Sequence, residues 1–162
     1  MEVLFKNKKT PVNIQIKENE LLNDFVVVDS NMNEVNTKDI KGNKLILTVP
    51  SVDTRVCSIE LSKFIELLKE EDIQVITVSM DLPFALERWC QANANHMIVA
   101  SDYRYRDFAN KIGFMMPEIG LFARGVVLVD SKGIIQYIEL VENVHNEPNY
   151  QKILEEIKQL KN

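Results

Sequence analysis

Residues 44–78, KLILTVPSVDTRVCSIELSKFIELLKEEDIQVITV, decide the fold. Residues 44–49 and 73–78 are short apolar runs rich in β-branched side chains, each of strand length. Between them Cys57, Leu61, Phe64, Ile65 and Leu68 recur at i, i+4, i+7, i+8 and i+11, the apolar stripe of a helix. A strand, a helix and a strand joined over this length make a right-handed crossover between parallel neighbours. Pro50 closes the first strand, residues 51–53 turn the chain, and Thr54 stands where a helix N-cap belongs, so Cys57 falls at N3.

Upstream, residues 3–5 and 12–16 flank the polar NKKTP of 7–11, and Val12, Ile14 and Ile16 alternate with polar residues. This predicts an N-terminal β-hairpin within residues 1–17. Residues 25–28 read as a short buried strand or an extended segment before the polar turn 29–33. Downstream, the pattern predicts a second helix over 83–92, with Pro83 in its first turn where a missing N–H costs little. A strand over 96–100 and a short helix over 105–111 follow. Residues 125–130 and 133–141 flank a Gly-containing turn and read as a hairpin. Residues 149–160 place Ile153, Leu154, Ile157 and Leu160 on one helical face. The order βαβ, helix, ββα is the plan of an α/β thioredoxin-like fold: a central mixed sheet flanked by helices, here with an N-terminal β-hairpin. No repeat, low-complexity tract or linker interrupts it, so residues 1–162 are expected to form a single domain.

Composition narrows the function. Hydrophobic side chains make up 46% of the 162 residues, enough for a core without disulfide or metal staples. Two cysteines are too few for a secreted disulfide scaffold. The charge of -5, from 19 basic and 24 acidic residues without a basic block, argues against nucleic acid as the principal partner. The two histidines stand apart from the cysteines, without zinc-ligand spacing, and neither a metal nor another cofactor is expected. No run reaches the length of a signal peptide or membrane helix, which points to a cytoplasmic protein with no membrane partner.

The chemistry centres on Cys57. Free N–H groups and the dipole at a helix start favour an anion, so they stabilise a thiolate, the attacking form of cysteine. Asp53 and Glu60 lie within a turn and oppose that charge unless they are turned away or paired. A cation is therefore needed, and Arg55 and Arg124 are the candidates. Burial alone also places a cysteine at the start of such a stripe. Arg124 interrupts the apolar run 119–129, which calls for an anionic partner if its strand is buried; at a strand end it would instead reach solvent.

The spacing Pro50-x-x-x-Thr54-x-x-Cys57 resembles the active-site motif of the peroxiredoxin family, and Pro-Ser-Val-Asp-Thr resembles the form found in its thiol peroxidase subfamily. Residues 79–90, Ser-x-Asp-Leu-Pro-Phe-Ala-x-x-Arg-Trp-Cys, resemble that subfamily's signature, and the similarity continues through 101–102, 120–124 and 147–150. The resemblance implies that Cys57 is the peroxidatic cysteine and Cys90 the resolving one. It implies that Thr54 contacts peroxide and thiolate through its hydroxyl, that Pro50 shields the pocket from water, and that Arg124 holds the thiolate and the reacting oxygens. A hydroperoxide substrate, thioredoxin or a similar dithiol reductant, and a homodimer go with it.

Arg55 departs from the subfamily pattern, which carries proline there. Glu60 resembles the glutamate by which other peroxiredoxins orient the arginine, or it is a solvated helix residue. Leu82, Phe84, Trp89, Phe114, Met115 and Met116 either pack in the core or line an apolar pocket or dimer face. Two cysteines on successive helices also predict local unwinding before a disulfide closes. A peroxide-sensing switch without turnover, or a binding module with a static bridge, would use the same residues.

Overall fold

The computed structural model describes residues 1–93 and 97–160. The chain opens with an antiparallel hairpin of β1 (Glu2–Phe5) and β2 (Lys8–Pro11). Its two-residue turn places Lys6 and Asn7 at φ 49° and 64°, a conformation that matches the right-handed twist of the strands. The hairpin is thus tighter than the sequence suggested. Its second strand is β2, and the alternating residues 12–16 leave it to supply β3 (Asn13–Ile14), which pairs with a distant strand.

A second hairpin follows, β4 (Val26–Asp29) with β5 (Glu34–Asn36), its turn closed by Asp29 Oδ1 accepting from the N–H groups of Asn31 and Asn33. The crossover comes next: β6 (Lys44–Thr48), α1 (Arg55–Leu68) and β7 (Gln74–Ser79), with β6 and β7 parallel and in register from Lys44 opposite Gln74 to Thr48 opposite Val78. Helix α2 (Pro83–Ala92) leads to β8 (Ile98–Ser101), parallel to β7. His96, where that strand was expected to begin, lies outside the described residues.

Helix α3 (Asp107–Lys111) starts two residues later than expected because Arg106 adopts the left-handed conformation at φ 53°. β9 (Gly113–Met116) and β10 (Leu121–Phe122) form a small sheet with β3. β11 (Gly125–Val129), β12 (Ile135–Leu140) and α4 (Tyr150–Gln159) complete the chain. The main sheet has seven strands in the order β12-β11-β6-β7-β8-β4-β5, with a parallel centre and antiparallel flanks.

The buried strands alternate between two cores. Leu45 and Leu47 face Cys57, Leu61 and Phe64 of α1, Leu86 and Trp89 of α2, and Ile153 and Ile157 of α4. Ile46, Val127 and Val129 face the opposite core, with Phe108 and Ile112 around α3. Period-two alternation in continuous apolar runs thereby covers both faces of the sheet. The result is a thioredoxin-like fold of mixed sheet and flanking helices, and it sets the start of α1 at the carboxyl end of β6, where open α/β sheets bind ligands.

Candidate active site

Pro50 is buried just beyond β6, and the chain then turns through residues 51–53 into α1. Thr54 is the N-cap: its Oγ1 accepts from the Cys57 N–H at 3.1 Å and donates to the Ser51 carbonyl at 3.2 Å. Cys57 occupies N3 with its side chain fully buried. The cap satisfies one N–H of the first turn, while the helix dipole still places positive potential at the sulfur.

The turn is clamped by Asp81, just past the end of β7. Its carboxylate accepts from Ser51 Oγ at 2.6 Å, from the Val52 N–H at 2.9 Å and from Ser79 Oγ at 2.8 Å. The Ser-x-Asp at 79–81 is therefore what fixes the loop before Cys57. The motif by itself gives Asp81 no task, because two of its three partners, Ser51 and Val52, lie about thirty residues away.

Arg124 lies between β10 and β11, so the apolar run 119–129 breaks into two strands with the arginine at their junction. The side chain turns inward: Nη1 donates to Glu60 Oε2 at 2.6 Å and Nε to the Val144 carbonyl at 3.0 Å. Its charge also interacts with Cys57. Burial works against the guanidinium charge, yet Cys57 and Glu60 together hold its pKa above the ordinary arginine value. Glu60 is no solvated residue: it is fully buried, and burial lifts its pKa to about 7 despite the pull of Arg124. Its Oε1 has no hydrogen-bond partner among the described residues.

Two close contacts hold the Arg124 backbone. Thr48 Oγ1 donates to the Ala123 carbonyl at 2.8 Å, and a Cβ on Gly125 would lie 2.3 Å from the Phe114 ring. Only glycine lets β11 start against that ring.

Both acidic residues near Cys57 are paired, as the electrostatics required. Asp53 receives Arg88 Nη2 at 2.7 Å and 2.8 Å on its two oxygens, while Glu60 receives Arg124. Arg55 is exposed at N1, on the wall of a cleft of about 690 Å³ that also touches Thr54, Ile59, Arg88 and Trp89. Of the two candidate cations, Arg124 is the one brought to the sulfur.

Cys57 and Cys90 are both free thiols. Cys90 lies near the end of α2, half-buried at the edge of the core that contains Cys57. Burial raises its pKa, opposed by a hydrogen bond with Ser30 from the β4–β5 turn. Trp89, Phe114, Met115 and Met116 are core residues, whereas Leu82 and Phe84, at the start of α2, are 54% and 66% exposed.

The family described as Redoxin matches residues 17–154. The chain belongs to the redoxin family. Within that family it is 39% identical over 158 residues to a thiol peroxidase of Clostridium acetobutylicum, covering 96% of each chain. It is 39% identical over 159 residues to a thiol peroxidase of Staphylococcus haemolyticus, covering 95% of this chain and 96% of the relative. Its fold superposes on a peroxiredoxin-like protein from Aquifex aeolicus with a TM-score of 0.89 at 35% identity, over 98% of this chain and 96% of that one. The chain is thus a redoxin of the thiol peroxidase group, with the peroxiredoxin form of the thioredoxin-like fold.

Proposed function

We propose that this thiol peroxidase reduces hydrogen peroxide and organic hydroperoxides through Cys57, and that Cys90 completes the cycle. The observation that carries the reading is the convergence of Arg124 and the α1 N-terminus on the buried Cys57 sulfur. In the first step the thiolate attacks a peroxide oxygen. An S–O bond forms, the O–O bond breaks, and the departing oxygen takes up a proton to leave as alcohol or water. Cys57 becomes a sulfenic acid, oxidised by two electrons as the peroxide is reduced. Arg124 stabilises charge as it moves from sulfur to the departing oxygen, an interaction that grows in the transition state. Thr54 fixes the first turn and offers its hydroxyl to the peroxide. Pro50 keeps water from the sulfur.

The Cys90 thiol then attacks the sulfenic sulfur, forming the disulfide and releasing water. In the reduced, fully helical state α1 and α2 each hold one cysteine in place, so part of α2 or the first turn of α1 unwinds for the sulfurs to meet. A dithiol reductant of the thioredoxin type regenerates both thiols by exchange. Two cysteines are too few for a secreted disulfide scaffold, which favours a cytoplasmic setting. No described helix is long and apolar enough to cross a membrane. Exposed Leu82 and Phe84 offer an apolar face for a second copy in a homodimer. The chain works as one domain over residues 1–162, with the hairpin at its N-terminus as an extension.

Turnover tests the reading against a one-shot sensor built on the same residues. With thioredoxin and its reductase, the protein is expected to consume many equivalents of hydroperoxide. Consumption that stops at one equivalent would assign it to sensing instead.

A further inference from the structure

The Asp53–Arg88 ion pair joins the two helices that carry the cysteines. Asp53 immediately precedes the N-cap of α1, four residues before Cys57; Arg88 lies two residues before Cys90 on α2. Arg88 Nη2 reaches both Asp53 oxygens, at 2.7 Å and 2.8 Å, and both residues line the cleft between the two helices. The remaining attachments of α2 are uneven. Leu86 and Trp89 bury apolar surface, but Trp89 Nε1 is buried with no acceptor among the described residues. Withholding that donor from water opposes docking, whereas apolar burial and the charged tie favour it.

We infer that the Asp53–Arg88 pair is a latch that keeps α2 docked after Cys57 has been oxidised, so that its opening limits the rate at which Cys90 closes the disulfide. The inference rests on the reading of Cys90 as the resolving cysteine. The latch acts on the second step only: sulfenic acid and thiol combine to a disulfide and water, without any further oxidant. Its strength is that of an exposed ion pair, so opening it should change a rate about two- to fivefold, and salt should weaken it. A slower second step lengthens the life of the sulfenic acid and exposes it to a second peroxide, which would take it to sulfinic acid. The latch therefore sets the balance between resolution and overoxidation.

Stopped-flow Trp89 fluorescence after one equivalent of hydrogen peroxide tests this, using wild type, Asp53→Asn, Arg88→Gln, the charge-swapped Asp53→Arg/Arg88→Asp, and Cys90→Ser. The two neutral substitutions change the charge beside Cys57 in opposite senses, yet both open the latch. The expected result is that both accelerate the second phase about two- to fivefold and abolish its acceleration by salt. Both should also need more peroxide for half-inactivation, and the swapped pair should return toward wild type. An unchanged second phase, or opposite shifts in the two single variants, would overturn the latch. Cys90→Ser separates the two levels: persistence of the second phase there would overturn the resolving role of Cys90 itself, and the latch with it.

Discussion

Arg124 and Glu60 form an ion pair of 2.6 Å with side chains 2% and 0% exposed, the most deeply buried charges of the site. Removing one partner leaves an uncompensated charge in the core, which typically costs about 3–5 kcal/mol, whereas removing both is far less harmful. Glu60→Leu and Arg124→Met are each expected to lose about that much in urea unfolding, and the double variant to recover more than half of the summed loss. In the proposed mechanism Arg124 also stabilises the reacting sulfur, so peroxide reduction should not recover with it. By analogy with other preorganised donors, its removal should slow the first phase about 100- to 1000-fold.

Asp81 holds Ser51, Val52 and Ser79 at once. Asp81→Ala leaves those donors unpaired and frees the turn that leads to Thr54 and Cys57. A loss of about 2–4 kcal/mol in unfolding free energy is expected, together with a slower first phase. Asp81→Asn, which keeps an acceptor, should lose less on both measures.

Gly125 has no room for a methyl group: a Cβ would meet the Phe114 ring at 2.3 Å and Thr48 Oγ1 at 2.9 Å. Phe114 cannot easily yield, being fully buried and at φ 67°. Gly125→Ala should therefore cost about 1–3 kcal/mol by overpacking, and Phe114→Leu in the same chain should return part of it. Thermal unfolding of the three variants checks both expectations.

Asp102 predicts a pH dependence of stability. It is buried, accepts from the Phe108 and Ala109 N–H groups at 2.9 Å, and has its pKa raised by burial from 3.8 to about 6. The folded protein thus keeps a proton that the unfolded chain releases at lower pH. The stability gained is fully present below about pH 3.8 and is lost as pH rises through about 6, up to about 3 kcal/mol. Glu60, raised to about 7, acts in the same direction over a wider window. Denaturant titrations from pH 4 to 7 should show the wild type losing stability, with a shallower slope in Asp102→Asn.

Elements with a strong hydrophobic period were legible in the sequence. The β6–α1–β7 crossover, the extent of α2 and the β11–β12 hairpin follow from local spacing, and so does Thr54 as the cap of Cys57. What escaped depends on distant partners. Residues 12–16 alternate as a strand should, but whether they pair with β1 or β9 is settled by the left-handed turn at Lys6-Asn7, which closes the hairpin early. Glu60 lies at a position three residues from Cys57 that fits a buried face or a wet one, and only Arg124, 64 residues away, decides between them. The Val144 carbonyl that accepts from Arg124 is backbone and leaves no mark in the sequence.

In the proposed mechanism the Cys57 sulfur is the atom that peroxide meets first. The direct test is trapping with a sulfenic-acid reagent and peptide mass analysis after one equivalent of hydroperoxide, in wild type, Cys57→Ser and Cys90→Ser. The expected result is a trapped sulfenic acid on Cys57 in Cys90→Ser, an intramolecular Cys57–Cys90 disulfide in wild type, and no fast reaction in Cys57→Ser. Peroxide reduction by Cys57→Ser at the wild-type rate would contradict it.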